Sequence, residues 1–309
     1  MPLEPGAAPA GIAGYHHVDV FSDLPYAGNS LAVFVDPPPL SPWQMARLTQ
    51  ELRHFETIFV SRTDTADAVQ ARVFDLVKEL DFAGHPVLGA AAVLHELSEV
   101  SPAEDRQWTF VLRARTVSVT TRGNAAGGVS ALLDQGRPEV IVGVSPLETG
   151  AIAAALALKP DDLHGSLPPQ ILSTGLRYLV VPVRDGDALA RARVARRDFE
   201  AFLNQLGAQF VYVLDPDRVE GRHWANDGLL EDVATGSAAG CVAAYLMRHG
   251  RARDGQEISL AQGRFTGRPS RIAITAYGTA ESVSRVTVGG AVSVVGTGTL
   301  RALPPPQQP

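Results

Sequence analysis

The chain is short of the side chains that most often carry cofactors and metals. One cysteine, Cys241, stands in 309 residues. A single thiol excludes an intrachain disulfide, a cysteine-built zinc site and any mechanism needing two thiols, and it suits a reducing cytoplasm. Lysine is nearly as scarce, with only Lys78 and Lys159 present. A pyridoxal-phosphate enzyme needs a Schiff-base lysine, and neither lysine stands in a recognisable cofactor context, which disfavours that class. Positive charge is outnumbered, leaving a net charge of -6, and this argues against a nucleic-acid partner. No run of about 18 apolar residues occurs, so neither a membrane span nor a membrane partner is indicated. The start lacks the basic and apolar regions of a secretory signal. Residues 1–14, rich in Pro, Ala and Gly, read as a disordered leader, and 304–309 as a disordered tail.

What is present is 45% hydrophobic and 19% charged, the balance of a globular protein with a sizeable core. The length suits two domains of about 150 residues each. Alternation and β-branched content predict strands over 15–21, 31–35, 55–60, 69–77, 108–112, 116–121 and 139–142. Further strands are expected over 171–183, 210–214, 258–261, 271–276, 285–288 and 291–297. Helices are expected from Ser41-Pro42, where Ser41 is a good N-cap and Met45, Leu48 and Leu52 follow at helical spacing. They are also expected over 147–158, with Ser145 as N-cap, and over 197–206, with Gly207 as C-cap. The segments 87–94 and 238–247 are so rich in small apolar residues that they read as helices buried nearly all round.

One carboxylate stands out. In the run 55–60, Phe-Glu-Thr-Ile-Phe-Val, Glu56 shares a strand face with Ile58 and Val60. Apolar neighbours disfavour the charged form, so its pKa should rise toward the range useful for proton transfer. The plain alternative is a strand-end Glu whose head reaches water. The two buried helices also match each other. Asp81 aligns with Asp232, Ala83 with Ala234 and Gly89 with Gly240 at one constant spacing. Either the chain has two related halves, or two Ala-rich helices match by chance. Related halves would aim two helix N-termini at one cleft, suited to a small carboxylate substrate. His85 would enter from the first loop, Asp232 and Ser237 from the second.

Several segments together resemble the phenazine-biosynthesis-like (PhzF-like) isomerases. They are F-E-T-I-F-V at 55–60, D-F-A-G-H-P-V-L-G at 81–89 and E-D-V-A-T-G-S-A-A-G at 231–240. Others are the opening D-V-F-S-D-L-P-Y-A-G-N at 19–29, Gln262-Gly263 with Gly267-Arg268-Pro269-Ser270, and V-G-G-A-V at 288–292. The match runs from about Tyr15 to Leu300. It implies an α+β fold of the diaminopimelate epimerase kind, in which two pseudo-symmetric halves each roll a mostly antiparallel sheet around a central helix. The first half is expected over 15–128, joined by the C-terminal strand 289–303, and the second over 129–288, with the site between them.

The resemblance further implies a homodimer, no cofactor and no metal. It also implies a small-molecule carboxylic-acid substrate, with a proton moved across a conjugated ring in a secondary-metabolite (antibiotic) pathway. By family position the catalytic groups fall on Glu56, His85, Asp232 and Ser237. Asn29, Gly84, Gly175, Thr235 and Gly236 fall where the substrate is bound. Asp232 has a second reading as a capping carboxylate of the helix that follows, and Ser237 as a cap of the turn. The chain departs from the family where Asp81, Val233 and Ser30 stand in place of prolines, and where Thr-Pro is replaced around Asp75-Leu76. A lost proline frees φ and restores a backbone donor, which leaves the substrate open.

Competing classes are weaker. His16 and His17 are adjacent on a strand and point to opposite faces, so one metal does not take both. Cys241 lies inside its helix without a partner, which disfavours a two-thiol racemase. Thr235-Gly236-Ser237 lacks the nucleophile elbow of a serine hydrolase. The expectation is therefore a cytoplasmic, cofactor-independent isomerase with Glu56 as general acid and base. The alternatives are a one-carboxylate epimerase or racemase of an amino-acid-like substrate, and a non-catalytic small-molecule-binding relative.

Overall fold

The computed structural model describes residues 13–65, 67–98, 104–124, 128–143 and 145–306. Most of the expected leader and the last residues of the expected tail lie outside them. Where the ends are described they are ordered. The first strand already includes Ala13 and Gly14, and the Pro304 carbonyl accepts from Gln44 Nε2 at 2.7 Å.

In chain order the elements are strands β1 (Ala13–Val20) and β2 (Asn29–Val35), helix α1 (Pro42–Leu52), and strands β3 (Glu56–Arg62), β4 (Ala68–Asp75) and β5 (Glu79–Leu80). Helix α2 (Gly84–Glu96) leads to strands β6 (Arg106–Val111), β7 (Thr116–Gly123), β8 (Val129–Gly136) and β9 (Glu139–Gly143). Helix α3 (Pro146–Ala155), strands β10 (Gln170–Ser173) and β11 (Arg177–Pro182), and helices α4 (Gly186–Arg191) and α5 (Phe199–Leu206) follow. The chain continues through strands β12 (Phe210–Asp215), β13 (Glu220–Trp224) and β14 (Glu231–Asp232) to helix α6 (Gly236–Arg248). Strands β15 (Glu257–Gln262), β16 (Ser270–Gly278) and β17 (Val283–Leu300) end it.

These elements gather into two compact units, both α+β. One comprises Met1–Tyr26, Ser30–Ala131 and Val292–Pro309; the other comprises Ala27–Asn29 and Leu132–Ala291. In the first, β2 and β3 run parallel, as do β4 and β6, while β3–β4, β6–β7 and β1 with the end of β17 are antiparallel. Helix α2 packs against β1, β3, β6 and β7. Every residue from Gly84 to His95 is buried, as an all-round apolar helix requires. Gly89 makes this possible: a Cβ there would lie 2.5 Å from Leu31 Cδ2 and 3.0 Å from Val20 Cγ2.

The second unit pairs β11 and β12 in parallel. Its ladders β9–β10, β10–β11, β12–β13, β15–β16 and β16–β17 are antiparallel. Helix α6 packs against β10, β11 and β16, and is buried along nearly its whole length. A Cβ on Gly240 would fall 2.0 Å from Gln135 Oε1, so this helix too needs a glycine at its closest approach.

The structure departs from the expected elements in three places. The single strand expected over 171–183 is a hairpin, because Gly175 at φ 128° turns the chain between β10 and β11. The two strands expected over 285–288 and 291–297 are one, β17, which runs through Gly289-Gly290. Its partners explain why: β16 pairs with its first part and β1 with its last, so the ladder carries the glycines across. Strands β8 and β13 and helix α4 were not expected. Strand β8 does alternate, with Val129, Ala131 and Leu133 inward.

Candidate active site

Glu56 opens β3. Helix α1 ends at Arg53, which adopts the left-handed conformation at φ 57°, and the chain re-enters the sheet three residues later. There Glu56 pairs with Leu31 of β2 on one side and Asp75 of β4 on the other. Ile58 and Val60 on its face are fully buried, while the Glu56 side chain is 14% exposed and that of His85 is 9% exposed.

His85 is the second residue of α2. Its Nδ1 lies 3.5 Å from Glu56 Oε2. Burial lowers the His85 pKa from 6.5 to about 3, so the ring is neutral at ordinary pH despite the carboxylate beside it. The contact is a neutral imidazole facing a carboxylate, a few tenths of an ångström beyond a good hydrogen bond. Catalytic contacts of this kind commonly tighten when substrate binds. The buried His85 Nε2 has no hydrogen-bond partner among the described residues. Gly84 opens the helix, and Ala83, at the N-cap, supplies no side-chain cap. The backbone N–H groups of the first turn are therefore not taken up by a capping side chain.

The remaining sequence-identified residues collect in the second unit, around the start of α6. Asp232, in the short strand β14, accepts on both oxygens. Asn29 Nδ2 donates to Oδ1 at 3.2 Å, Ala234 N to Oδ1 at 3.4 Å, and Thr235 Oγ1 to Oδ2 at 2.7 Å. Asn29 also donates to the Ala234 carbonyl at 3.0 Å. Gln262 ties the loop from the other side. Its Nε2 donates to the Asp232 carbonyl and to Thr235 Oγ1, both at 2.9 Å, and its Oε1 accepts from Thr235 N at 3.1 Å and Tyr212 OH at 3.0 Å. Thr235 Oγ1 thus accepts from Gln262 and donates to Asp232. Burial raises the Asp232 pKa, opposed by nearby His223, by Thr235 and by the backbone.

The cap reading of Asp232 does not hold. The N-cap of α6 is Thr235, and no side-chain cap bond is made there. Ser237 is not a cap either: its Oγ lies 2.8 Å from Tyr178 OH. Its carbonyl accepts from Thr174 Oγ1 at 3.2 Å. Gly236 accepts from Gln135 Nε2 at 2.9 Å, and Gly175 N donates to Ser173 Oγ at 3.0 Å. Within each unit, then, named residues meet: Glu56 with His85, and Asp232 with Asn29 and Thr235.

Sequence reasoning passed over Tyr178 and His223. Tyr178 stands across a hairpin turn from the pair it joins, and no local pattern marks it. His223 sits directly opposite Asp232 in the β13–β14 pair, a register that shows only once β13 is found. The two acidic positions matched in the repeat also differ: Asp81 is exposed and meets Arg113 at 3.3 Å, whereas Asp232 is held by the loop around it.

A family model described as phenazine biosynthesis-like protein matches residues 18–298. The trans-2,3-dihydro-3-hydroxyanthranilate isomerase of Pseudomonas fluorescens is 31% identical over 293 residues, covering 93% of this chain and 98% of that protein. The enzyme of the same name from Pseudomonas aeruginosa is 33% identical over 283 residues, covering 89% of this chain and 95% of its own. A solved structure of a predicted epimerase from Pseudomonas aeruginosa superposes with a TM-score of 0.84 at 44% identity, covering 93% of this chain and 99% of that one. The chain belongs to the phenazine biosynthesis-like protein family, and it is an enzyme of the isomerase class.

Proposed function

We propose that this isomerase moves a proton within a small cyclic or conjugated carboxylic acid without a cofactor, with Glu56 as general acid and base. The observation that carries the reading is the Glu56–His85 contact at 3.5 Å: a carboxylate beside a ring that burial holds neutral. Glu56 takes a proton from one carbon, the electron pair shifts through the conjugated system, and the same carboxyl group returns the proton at another carbon. Atoms and charge balance without a redox partner.

His85, neutral, offers the buried Nε2 as a hydrogen-bonding group to the substrate. In this reading Asp232 and Ser237 bind the substrate's amino and polar groups, with Asn29, Gly175, Thr235 and Gly236 lining the site. The start of α2, without a side-chain cap, offers backbone N–H groups to a carboxylate, and so, in its own unit, does the start of α6. The names of the relatives support a ring substrate and a secondary-metabolite role. The two related halves, the homodimer and the cytoplasmic setting belong to the same reading. A second reading, epimerisation of an amino-acid-like substrate, is favoured by the 44% identical structure named as an epimerase.

The test is a screen of cyclic amino acids and dienoic acids, followed by ultraviolet absorbance and by chirality. Glu56→Gln is expected to lower turnover by about 10²–10⁴ while the circular dichroism spectrum and melting point hold. Turnover within a few-fold of wild type would sink the reading. A change of chirality without an absorbance change selects the epimerase.

A further inference from the structure

Ser237 is the second residue of α6, and two side chains from outside that helix hold it. Thr174 Oγ1 donates to its carbonyl at 3.2 Å, and Tyr178 OH lies 2.8 Å from its Oγ. Thr174 stands in the turn between β10 and β11, and Tyr178 is the second residue of β11. One hairpin therefore fixes both the backbone and the hydroxyl of this serine.

The Tyr178 ring has little freedom of its own. It is 2% exposed. Leu172, its register partner on β10, is fully buried. Phe210, its partner on β12, lies against it with ring centres 5.4 Å apart, and His223 meets it edge-on at 5.6 Å. With the ring clamped, the phenolic oxygen is a fixed post, and only the O–H bond is left to turn.

Ser237, by contrast, is half-buried. A serine side chain has three staggered positions to choose from, and the bond to Tyr178 selects one. Among the described residues, Tyr178 OH is the one hydrogen-bonding partner of Ser237 Oγ. Two hydroxyls share this bond, so one donates and the other accepts. A phenol is a much stronger acid than an aliphatic alcohol, which makes it the better donor and the poorer acceptor. The favoured bond runs from Tyr178 to Ser237, and it leaves the Ser237 proton to be donated onward.

We propose that Tyr178 is a positioning residue that fixes Ser237 as a hydrogen-bond donor, so that Ser237 recognises an acceptor oxygen of the ligand, its carboxylate, and not its amino group. Asp232 has the opposite sense, because its carboxyl accepts from Asn29 Nδ2 and from Ala234 N. Ser237 thus selects the acceptor end of a ligand and leaves its donors to Asp232. The backbone N–H groups of the first turn of α6, where no side-chain cap is made, are donors at the same helix end. The inference rests on the reading that Ser237 belongs to the substrate site, and it adds which kind of atom that residue meets and what aims it.

The direction of the bond is read in the free enzyme by ultraviolet resonance Raman spectroscopy, whose tyrosine doublet distinguishes a donating phenol from an accepting one. Wild type minus Ser237→Ala isolates the Tyr178 signal without altering the tyrosine. Loss of a donor-type doublet is expected. Loss of an acceptor-type doublet, or no change at all, would overturn the proposal. Binding is then measured by calorimetry with 2-aminobenzoate, a ring acid that carries both groups. Ser237→Ala is expected to weaken it about tenfold. Tyr178→Phe, which keeps the ring and removes the hydroxyl, is expected to weaken it about three- to tenfold, and the double variant to bind as Ser237→Ala does. Losses that multiply would mean that Tyr178 acts through packing, and equal binding by wild type and Ser237→Ala would sink the acceptor assignment. Neither measurement involves turnover. Failure of the Glu56→Gln test would leave both readable, and a Tyr178 found to accept would leave the isomerase reading standing.

Discussion

The two units each bring a carboxylate together with a helix that starts without a side-chain cap, and they treat it in opposite ways. In the second unit Asp232 is gripped by three donors, and one of them, the Thr235 hydroxyl, is fixed in turn by Gln262. In the first, Glu56 lies 3.5 Å from a neutral ring whose second nitrogen is buried without a partner among the described residues. A carboxylate with its acceptor sites filled is a fixture: moving it or protonating it breaks several bonds at once. A carboxylate beside a ring with hydrogen-bonding capacity to spare is arranged for change. In the proposed reading the second unit holds the substrate and the first moves the proton, and each half of that contrast has a test.

The largest effect is expected at His85. Its pKa falls from 6.5 in the unfolded chain to about 3 in the folded one, so between those values the unfolded state binds more protons than the native state. Stability contributed by this site is complete above the unfolded value and is lost as pH falls toward the folded one, by about 1.4 kcal/mol per pH unit. His85→Gln removes this slope. Denaturant unfolding of wild type and variant across that window is expected to give a stability difference that shifts steadily in the variant's favour as the solution becomes more acid. A difference independent of pH would mean that His85 is charged in the native state, and the contrast with the second unit would fail.

An intermediate effect is expected at Thr235→Val, which removes one donor to Asp232 and the acceptor of Gln262. Loss of buried hydrogen bonds of this kind costs about 1–3 kcal/mol. The Asp232 carboxyl, relieved of a donor that favours its charged form, should titrate at higher pH than in wild type. Chemical denaturation and the carboxyl resonance read the two effects separately. An unchanged carboxyl midpoint would show that Asp232 is not held as described.

What the sequence made legible was local. Ser41 is the expected N-cap of α1, where it also closes a capping box with Gln44, and Gly207 ends α5 in the left-handed conformation at φ 90°, because both depend on residues a few positions away. Strand β13 was not legible because it breaks the rule used to find strands. All five of its residues are buried, including Glu220, Arg222 and His223. Their partners lie elsewhere: Arg264 for Glu220, at 2.7 Å, and Glu231 for Arg222. Burial of charge is decided by partners that a hydropathy pattern does not contain. The candidate site divides in the same way. Glu56 in its apolar strand and His85 beside Gly84 could be marked from motifs, whereas His223 opposite Asp232 and Tyr178 against Ser237 depend on strand register. The hairpin at Gly175 and the continuous β17 were misread because a glycine turns one strand pair and is carried across in the other, and only the neighbouring strands decide which.

The smallest effects separate the two matched glycines. In Gly89→Ala the new methyl meets Leu31 at 2.5 Å, Val20 at 3.0 Å and Val18 at 3.2 Å, all three fully buried. Overpacking of this sort costs about 1–3 kcal/mol, against about 1 kcal/mol gained because alanine favours the helix. In Gly240→Ala the nearest atom is Gln135 Oε1 at 2.0 Å, the far end of a flexible side chain. Gln135 can swing aside, giving up its bond to the Gly236 carbonyl at about 1 kcal/mol, which the helix preference of alanine nearly offsets. Urea midpoints should therefore fall for Gly89→Ala and barely move for Gly240→Ala. The second substitution should still reach activity, because Gln135 braces the first turn of α6 at Gly236, next to Ser237. Equal losses of stability would mean that α6 is packed as unyieldingly as α2, and that the second unit's rigidity lies in its core as well as in the hydrogen bonds around Asp232.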